Sequence, residues 1–122
     1  NVHAIAHQIG GKYGIPHGLA NSLVLPHVLK FCRTESVNEL AELALLVGVG
    51  KPGQSADQLA GQFIDAVIQL RADVGIAETS DRIRSEDYTY LTDLALKECE
   101  GYPVPKLLER DATMGILRAI TA

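Results

Sequence analysis

Apolar residues in this chain recur at helical spacing almost from end to end, and no stretch alternates as a half-buried strand does. The cleanest run follows Ser55-Ala56-Asp57-Gln58. There Ala56, Leu59, Ala60, Phe63, Ile64, Val67 and Ile68 advance by three and four, which lines one face of a helix. Ser55 with Gln58 three residues later is a capping box. Asp57 suits the positive helix start, Arg71 the negative end, and Gly75 a left-handed cap. Ser36-Val37-Asn38-Glu39 has the form of another capping box, with Leu40, Leu43, Ala44 and Val47 behind it. Gly48 to Gly53 then reads as a connector. Ser85-Glu86-Asp87 opens a further helix that carries Tyr88, Leu91, Leu94 and Ala95 inward and ends near Gly101. Tyr102-Pro103-Val104-Pro105 cannot lie inside a helix. Asp111 or Thr113 is placed to cap a last short helix with Met114, Leu117 and Ile120 on its inward side.

The segment from Pro16 to Arg33 differs from the rest. It is apolar nearly all round, which predicts a helix at the centre of the domain. Pro26 should kink it or end its first half, and His27 is expected to bond a carbonyl that the proline frees or, alternatively, to form a wall of a substrate pocket. The pattern as a whole predicts a single all-α domain, a bundle of roughly five to seven helices. Its expected core is Leu23, Val24, Val28, Phe31, Leu43, Leu59, Phe63, Ile64, Val67 and Leu91.

At 122 residues and 47% hydrophobic content the chain can bury one core. A net charge of −4 argues against nucleic acid or an anionic membrane as partner. No apolar run reaches the ~18 residues of a membrane span. Cys32 and Cys99 are too few for a disulfide framework and lack metal-ligand spacing, so free buried thiols in a cytoplasmic protein are expected. Arg82, Arg84, Glu86 and Asp87 read as a solvated surface.

Candidate chemistry is concentrated at the start of the chain, which holds His3, His7 and His17 of its four histidines. His3 and His7 share one face of a helix, about one turn apart. On a single straight helix His17 would lie roughly 21 Å from His3. One ion holds imidazole nitrogens at ~2.1 Å, so a continuous helix cannot bring both to it. Gly10-Gly11, Gly14 and Pro16 predict a break, with His17 at the start of a second helix that folds back beside His3. The neighbouring residues include no Asp, Glu or Cys to complete a ligand set; the first carboxylate is Glu35.

His3-x-x-x-His7, Gly10, Pro16-His17-Gly18, Asn21 and Leu25-Pro26-His27-Val28 form a dense, ordered match over Asn1–Phe31. This segment resembles the signature of the iron-containing (group III) alcohol dehydrogenases. The resemblance implies an all-α helical bundle like the C-terminal domain of the dehydroquinate synthase-like fold, here spanning residues 1–122. It implies that His3 and His17 bind Fe2+ or Zn2+. It places His7 beside the nicotinamide of NAD or NADP, as the residue that moves a proton or contacts substrate. It also implies a small alcohol or aldehyde substrate.

In that family an Asp, a further His and the glycine-rich nucleotide-binding domain lie upstream. With no Met before Met114, the chain is expected to be a C-terminal domain cut just before its second histidine motif. Loss of the nucleotide-binding domain should then expose an apolar cleft wall around Ala4, Ile5 and Leu19, and such a patch should draw copies of the chain together as a homo-oligomer. One departure stands out: the family's Asn-Pro-Arg segment is replaced by Tyr102-Pro103-Val104-Pro105. An alternative of another class stays open at this point, a non-catalytic helical interaction module whose histidines are structural.

Overall fold

The computed structural model describes residues 1–122 as six α-helices: α1 Val2–Tyr13, α2 His17–Phe31, α3 Val37–Leu46, α4 Ala56–Asp73, α5 Tyr88–Cys99 and α6 Arg110–Ile120. A 3-10 turn, Ser85–Asp87, leads into α5. The all-α expectation holds, and α3 and α4 begin directly after Ser36 and Ser55, as their sequence pattern predicts. A single parallel bridge, Ser80 to Thr121, ties the approach to α5 to the end of α6.

The main core lies between α1, α2, α5 and α6. It is built from Ile5, Ile9, Leu23, Val24, Leu91, Leu117 and Ile120, with Ile15, Ile83 and Leu108 entering from the connections. α3 and α4 form a separate hairpin with its own small clusters, Leu40 with Ala60 and Ile64, and Ala41 with Ala44 and Leu59. Through α4 this hairpin leans on α2, which meets α1, α4 and α6 and so occupies the centre of the domain.

Several sequence expectations need correction. Leu43 is 40% exposed, because α3 is apolar on most sides but packs almost entirely on α4 through its Leu40, Ala41 and Ala44 stripe. Phe31, Phe63 and Val67 are only partly buried. Ala4 and Ile5 are 0% and 1% exposed, since α1 turns them toward its neighbours in the core. Of the expected cleft wall only Leu19, at 38%, is open. The Ser36 capping box does not form: Ser36 has non-extended backbone angles and its side chain caps nothing.

The Ser55 box does form. Gln58 N–H donates to Ser55 Oγ at 3.1 Å, and Ser55 N–H donates to Gln58 Oε1 at 3.0 Å. At the other end of α4, Ile76 N–H reaches Arg71 O and Gly75 N–H reaches Ala72 O, the pairing that closes a helix through a left-handed residue. The last helix starts at Arg110 behind Glu109, without a side-chain cap from Asp111; Thr113 Oγ1 instead donates back to Glu109 O.

Pro26 sits inside α2, which continues through it to Phe31. The carbonyl it frees belongs to Ser22. That carbonyl accepts from Arg71 Nη1 at 3.5 Å, not from His27.

Candidate metal centre

α1 runs through Gly10 and Gly11 without interruption, so the break is narrower than the glycine pattern predicts. It is made by Gly14, Ile15 and Pro16. Gly14 takes φ 69°, ψ 23°, and its N–H bonds Gly10 O, which ends α1. Pro16 then sits at the N-cap of α2 with His17 as the first helical residue. Gly10 serves packing instead: a Cβ there would stand 3.3 Å from the Ile15 carbonyl oxygen. The connection is short because that carbonyl can pass close to α1.

This turn brings His17 back beside α1. The ring centroids of His3 and His17 are 5.4 Å apart with near-parallel planes, those of His3 and His7 5.6 Å apart, and those of His7 and His17 5.7 Å apart. All three residues are exposed, so the rings form a triangle on an open face. An ion ~2.1 Å from each imidazole nitrogen lies roughly 3.2 Å from the ring centre, and two such rings at a tetrahedral angle stand about 5 Å apart. The centroid spacing therefore lies near that of two imidazoles sharing one divalent ion, and the triangle's edges alone do not select which two rings would take part.

Hydrogen bonds separate the three rings. Asn21 Nδ2 donates to His17 Nε2 at 3.1 Å, so that nitrogen carries a lone pair. His7 Nδ1 lies 2.7 Å from Glu98 Oε1. The carboxylate only accepts, so His7 donates there. Gln8 Nε2 donates to the other oxygen, Glu98 Oε2, at 3.2 Å. Tyr102 OH approaches Glu98 Oε1 at 3.5 Å. No set of three or more His, Cys, Asp and Glu side chains in the chain is disposed to hold an ion by itself. A complete site needs ligands from elsewhere.

Other contacts fix the frame around the triangle. Asn1 Nδ2 donates to Lys106 O at 2.6 Å, and Cys99 Sγ donates to Asn1 Oδ1 at 2.8 Å, which pins the start of α1 to the end of α5 and the proline loop. Tyr13 OH donates to Asp87 Oδ2 at 2.7 Å and accepts from Arg84 N–H, tying the end of α1 to the turn before α5. Burial pushes the Tyr13 pKa up, so this hydroxyl stays a donor. Asp87 is thus partly enclosed, whereas Arg82, Arg84 and Glu86 are exposed as expected.

A hollow of about 320 Å³ beside His7 is lined by Gln8, Gly11, Lys12, Tyr90 and Leu94. The largest hollow, about 460 Å³, lies behind Pro16 against Ala77 to Arg82 and holds none of the histidines. His27 lines no hollow and takes no place in the triangle. Its pKa is lowered, first by burial and then by the charges of Lys30 and Arg71, with Glu78 opposing. Cys32 and Cys99 are free and buried.

Sequence reasoning placed His3, His7 and His17 and missed Glu98, which lies 91 residues from His7. Periodicity marks Tyr88, Leu91, Leu94 and Ala95 as the inward side of α5, and Glu98, three residues after Ala95 and seven after Leu91, continues it; a carboxylate at that position is the signal the sequence offers. Only the packing of α5 on α1 brings it to the histidine.

The profile of the Fe-containing alcohol dehydrogenase family, C-terminal, matches residues 1–121. The chain is 35% identical over 107 residues to 1,3-propanediol dehydrogenase of Citrobacter freundii, covering 86% of this chain and 28% of that protein. It is 34% identical over 103 residues to lactaldehyde reductase of Escherichia coli (strain K12), covering 82% of this chain and 27% of that one. A crystal structure of 1,3-propanediol oxidoreductase superposes with a TM-score of 0.88 at 33% identity, over 96% of this chain and 31% of that chain. The chain thus spans under a third of the length of these relatives. An all-helical fold, a His3–His7–His17 triangle made by a Gly14–Pro16 turn, and a match from end to end lead to one assignment: the chain belongs to the iron-containing alcohol dehydrogenase family, as its C-terminal domain.

Proposed function

We propose that residues 1–122 are the metal-binding, all-helical part of a longer NAD(P)-dependent alcohol dehydrogenase. That enzyme moves a hydride between a primary or secondary alcohol and the nicotinamide. The observation that carries this reading is the imidazole triangle, with centroid separations of 5.4 to 5.7 Å. His3 and His17 are the ligands this chain supplies, and an upstream Asp and His complete the set. Fe2+ or Zn2+ held by His3 and His17 would supply a Lewis acid for the alcohol oxygen, and NAD(P) would supply the hydride acceptor. Imidazole suits either ion.

The remaining work falls to the chain's own groups. His7, with Nδ1 against Glu98 Oε1, is the group that accepts a proton or orients the substrate hydroxyl. The hollow beside it, with Lys12, Tyr90 and Leu94 in its wall, offers room for part of a small substrate. Pro16 and Gly14 hold His17 in register with α1, so the two rings are brought together before an ion arrives, and ligation through His17 Nε2 displaces the Asn21 hydrogen bond.

The longer enzyme works in the cytoplasm, where the buried free thiols Cys32 and Cys99 stay reduced. It assembles as a homo-oligomer, in keeping with exposed Leu46, Val47, Leu70 and Val74. No helix is long and apolar enough to cross a membrane.

The test joins this chain to its upstream nucleotide-binding domain and follows NAD(P)H at an alcohol such as 1,3-propanediol, with metal content measured in parallel. His3→Ala and His17→Ala should each lose metal and activity. His7→Ala should keep the metal and lose rate. Full metal content and activity in His17→Ala would overturn the ligand assignment.

A further inference from the structure

We propose that Glu98 is a positioning residue that holds His7 in one tautomer, with the proton on Nδ1 and the lone pair on Nε2. The inference rests on the reading of His7 given above and goes one residue further, to what sets its state.

In a neutral imidazole one nitrogen donates and the other accepts, and the partner at one nitrogen decides the other. Glu98 Oε1 lies 2.7 Å from His7 Nδ1, the shortest contact any of the three clustered rings makes with a side chain. The carboxylate is itself held. Gln8 Nε2 donates to Oε2 at 3.2 Å and also reaches Ala4 O at 3.2 Å, one turn back on α1. Tyr102 OH adds a long contact to Oε1. Donors from α1 and from the loop after α5 therefore converge on one carboxylate, which is more than a loose surface ion pair makes. The Glu98 side chain is 28% exposed against 44% for His7, so the acceptor is the more enclosed partner. Neither His3 nor His17 has a carboxylate at hydrogen-bonding distance. The dyad singles out His7, the one histidine of the triangle assigned to proton or substrate contact instead of ligation.

The direct test is 15N–1H long-range correlation of the histidine rings in this 122-residue chain, at about pH 9 where an ordinary imidazole is neutral. The wild-type His7 should show protonated Nδ1 and bare Nε2. Glu98→Ala removes the acceptor, and Glu98→Lys replaces it with a group that only donates. Both should move His7 to the Nε2–H form, the Lys variant further. Far-ultraviolet circular dichroism checks that each variant is folded. Since Glu98 is partly exposed at the end of α5, at least one should be. A wild-type ring protonated at Nε2, or a folded variant that keeps Nδ1–H, overturns the proposal.

A second arm uses the chain joined to its upstream domain. Glu98→Ala should keep its metal and lose kcat by roughly tenfold or more, the usual cost of removing a partner that orients a site histidine. A tautomer shift with unchanged kcat would overturn the positioning role. Absence of NAD(P)-dependent turnover in the wild-type joined protein would sink the dehydrogenase reading instead, and the ring spectra distinguish the two failures.

Discussion

The Arg71 guanidinium reaches the Ser22 carbonyl, 3.5 Å away, and Ser22 is the residue whose carbonyl Pro26 leaves without an N–H donor. A proline inside a helix removes the bond to the carbonyl four residues back. In α2 that gap faces α4, and the side chain that reaches it is 8% exposed, among the few charged groups enclosed in this domain. The two oddities, a proline in mid-helix and a buried arginine, are complementary.

A double-mutant cycle tests this pairing. Arg71→Ala should destabilise the chain by about 1–3 kcal/mol, since it strands a buried carbonyl and removes packing. Pro26→Ala supplies an N–H for Ser22, so it should recover part of that loss in the Arg71→Ala background. The expected coupling is at least about 0.5 kcal/mol in urea unfolding. Simple addition of the two single effects would show that Arg71 is buried for another reason.

The two Ser-initiated helices offer an internal control. Ser55→Ala should cost about 1 kcal/mol, the typical loss for a capping serine, because Ser55 Oγ accepts from Gln58 N–H. Ser36→Ala should stay within about 0.5 kcal/mol, because Ser36 makes no cap bond. Equal costs in chemical denaturation would contradict the difference between the two helix starts.

That contrast also shows what the sequence could and could not convey. Both serines satisfy the same local rule, yet α3 follows a turn in which Ser36 N–H already bonds Cys32 O, and the backbone arrives at the wrong angle. Periodicity found the stripe of α4 because one face of that helix is apolar. It misjudged Leu43 because α3 is apolar on nearly every side, and packing alone decides which side is covered. Gly10 and Gly11 suggest a break by their composition, but the helix tolerates both and stops at Gly14, where the backbone turns left-handed. The histidine triangle was legible because its members lie within one helix-turn-helix. Glu98 and Arg71 were not, since each meets its partner only through the docking of a distant helix.

His27 should make stability depend on pH. Burial, then the charges of Lys30 and Arg71, lower its pKa in the folded chain. The unfolded chain takes up the proton first, at the ordinary value of about 6.5. Between that value and the lower folded one, the unfolded state binds more protons, so stability rises with pH. The contribution is fully present above the ordinary value and is lost progressively as pH falls below it. His27→Gln should therefore narrow the difference in urea midpoint between about pH 8 and about pH 5.5. An unchanged difference would remove His27 from the acid sensitivity of the fold.

The turn that positions His17 should respond to backbone chemistry more than to side-chain bulk. Gly14 has φ 69°, and a Cβ added there meets nothing within 4 Å. Any cost of substitution is then conformational. Gly14→Ala should lose about 1–2 kcal/mol, the usual cost for an L-residue in the left-handed region. Gly14→Asn should lose less, because asparagine visits that region more readily than other residues. The same order should appear in the site: whatever loosens the Gly14–Pro16 turn loosens the stacking of His17 on His3, seen as weaker ring-to-ring nuclear Overhauser contacts between them. If Ala and Asn were equally tolerated and the His3–His17 contacts unchanged, the left-handed turn would not be what brings the two imidazoles together.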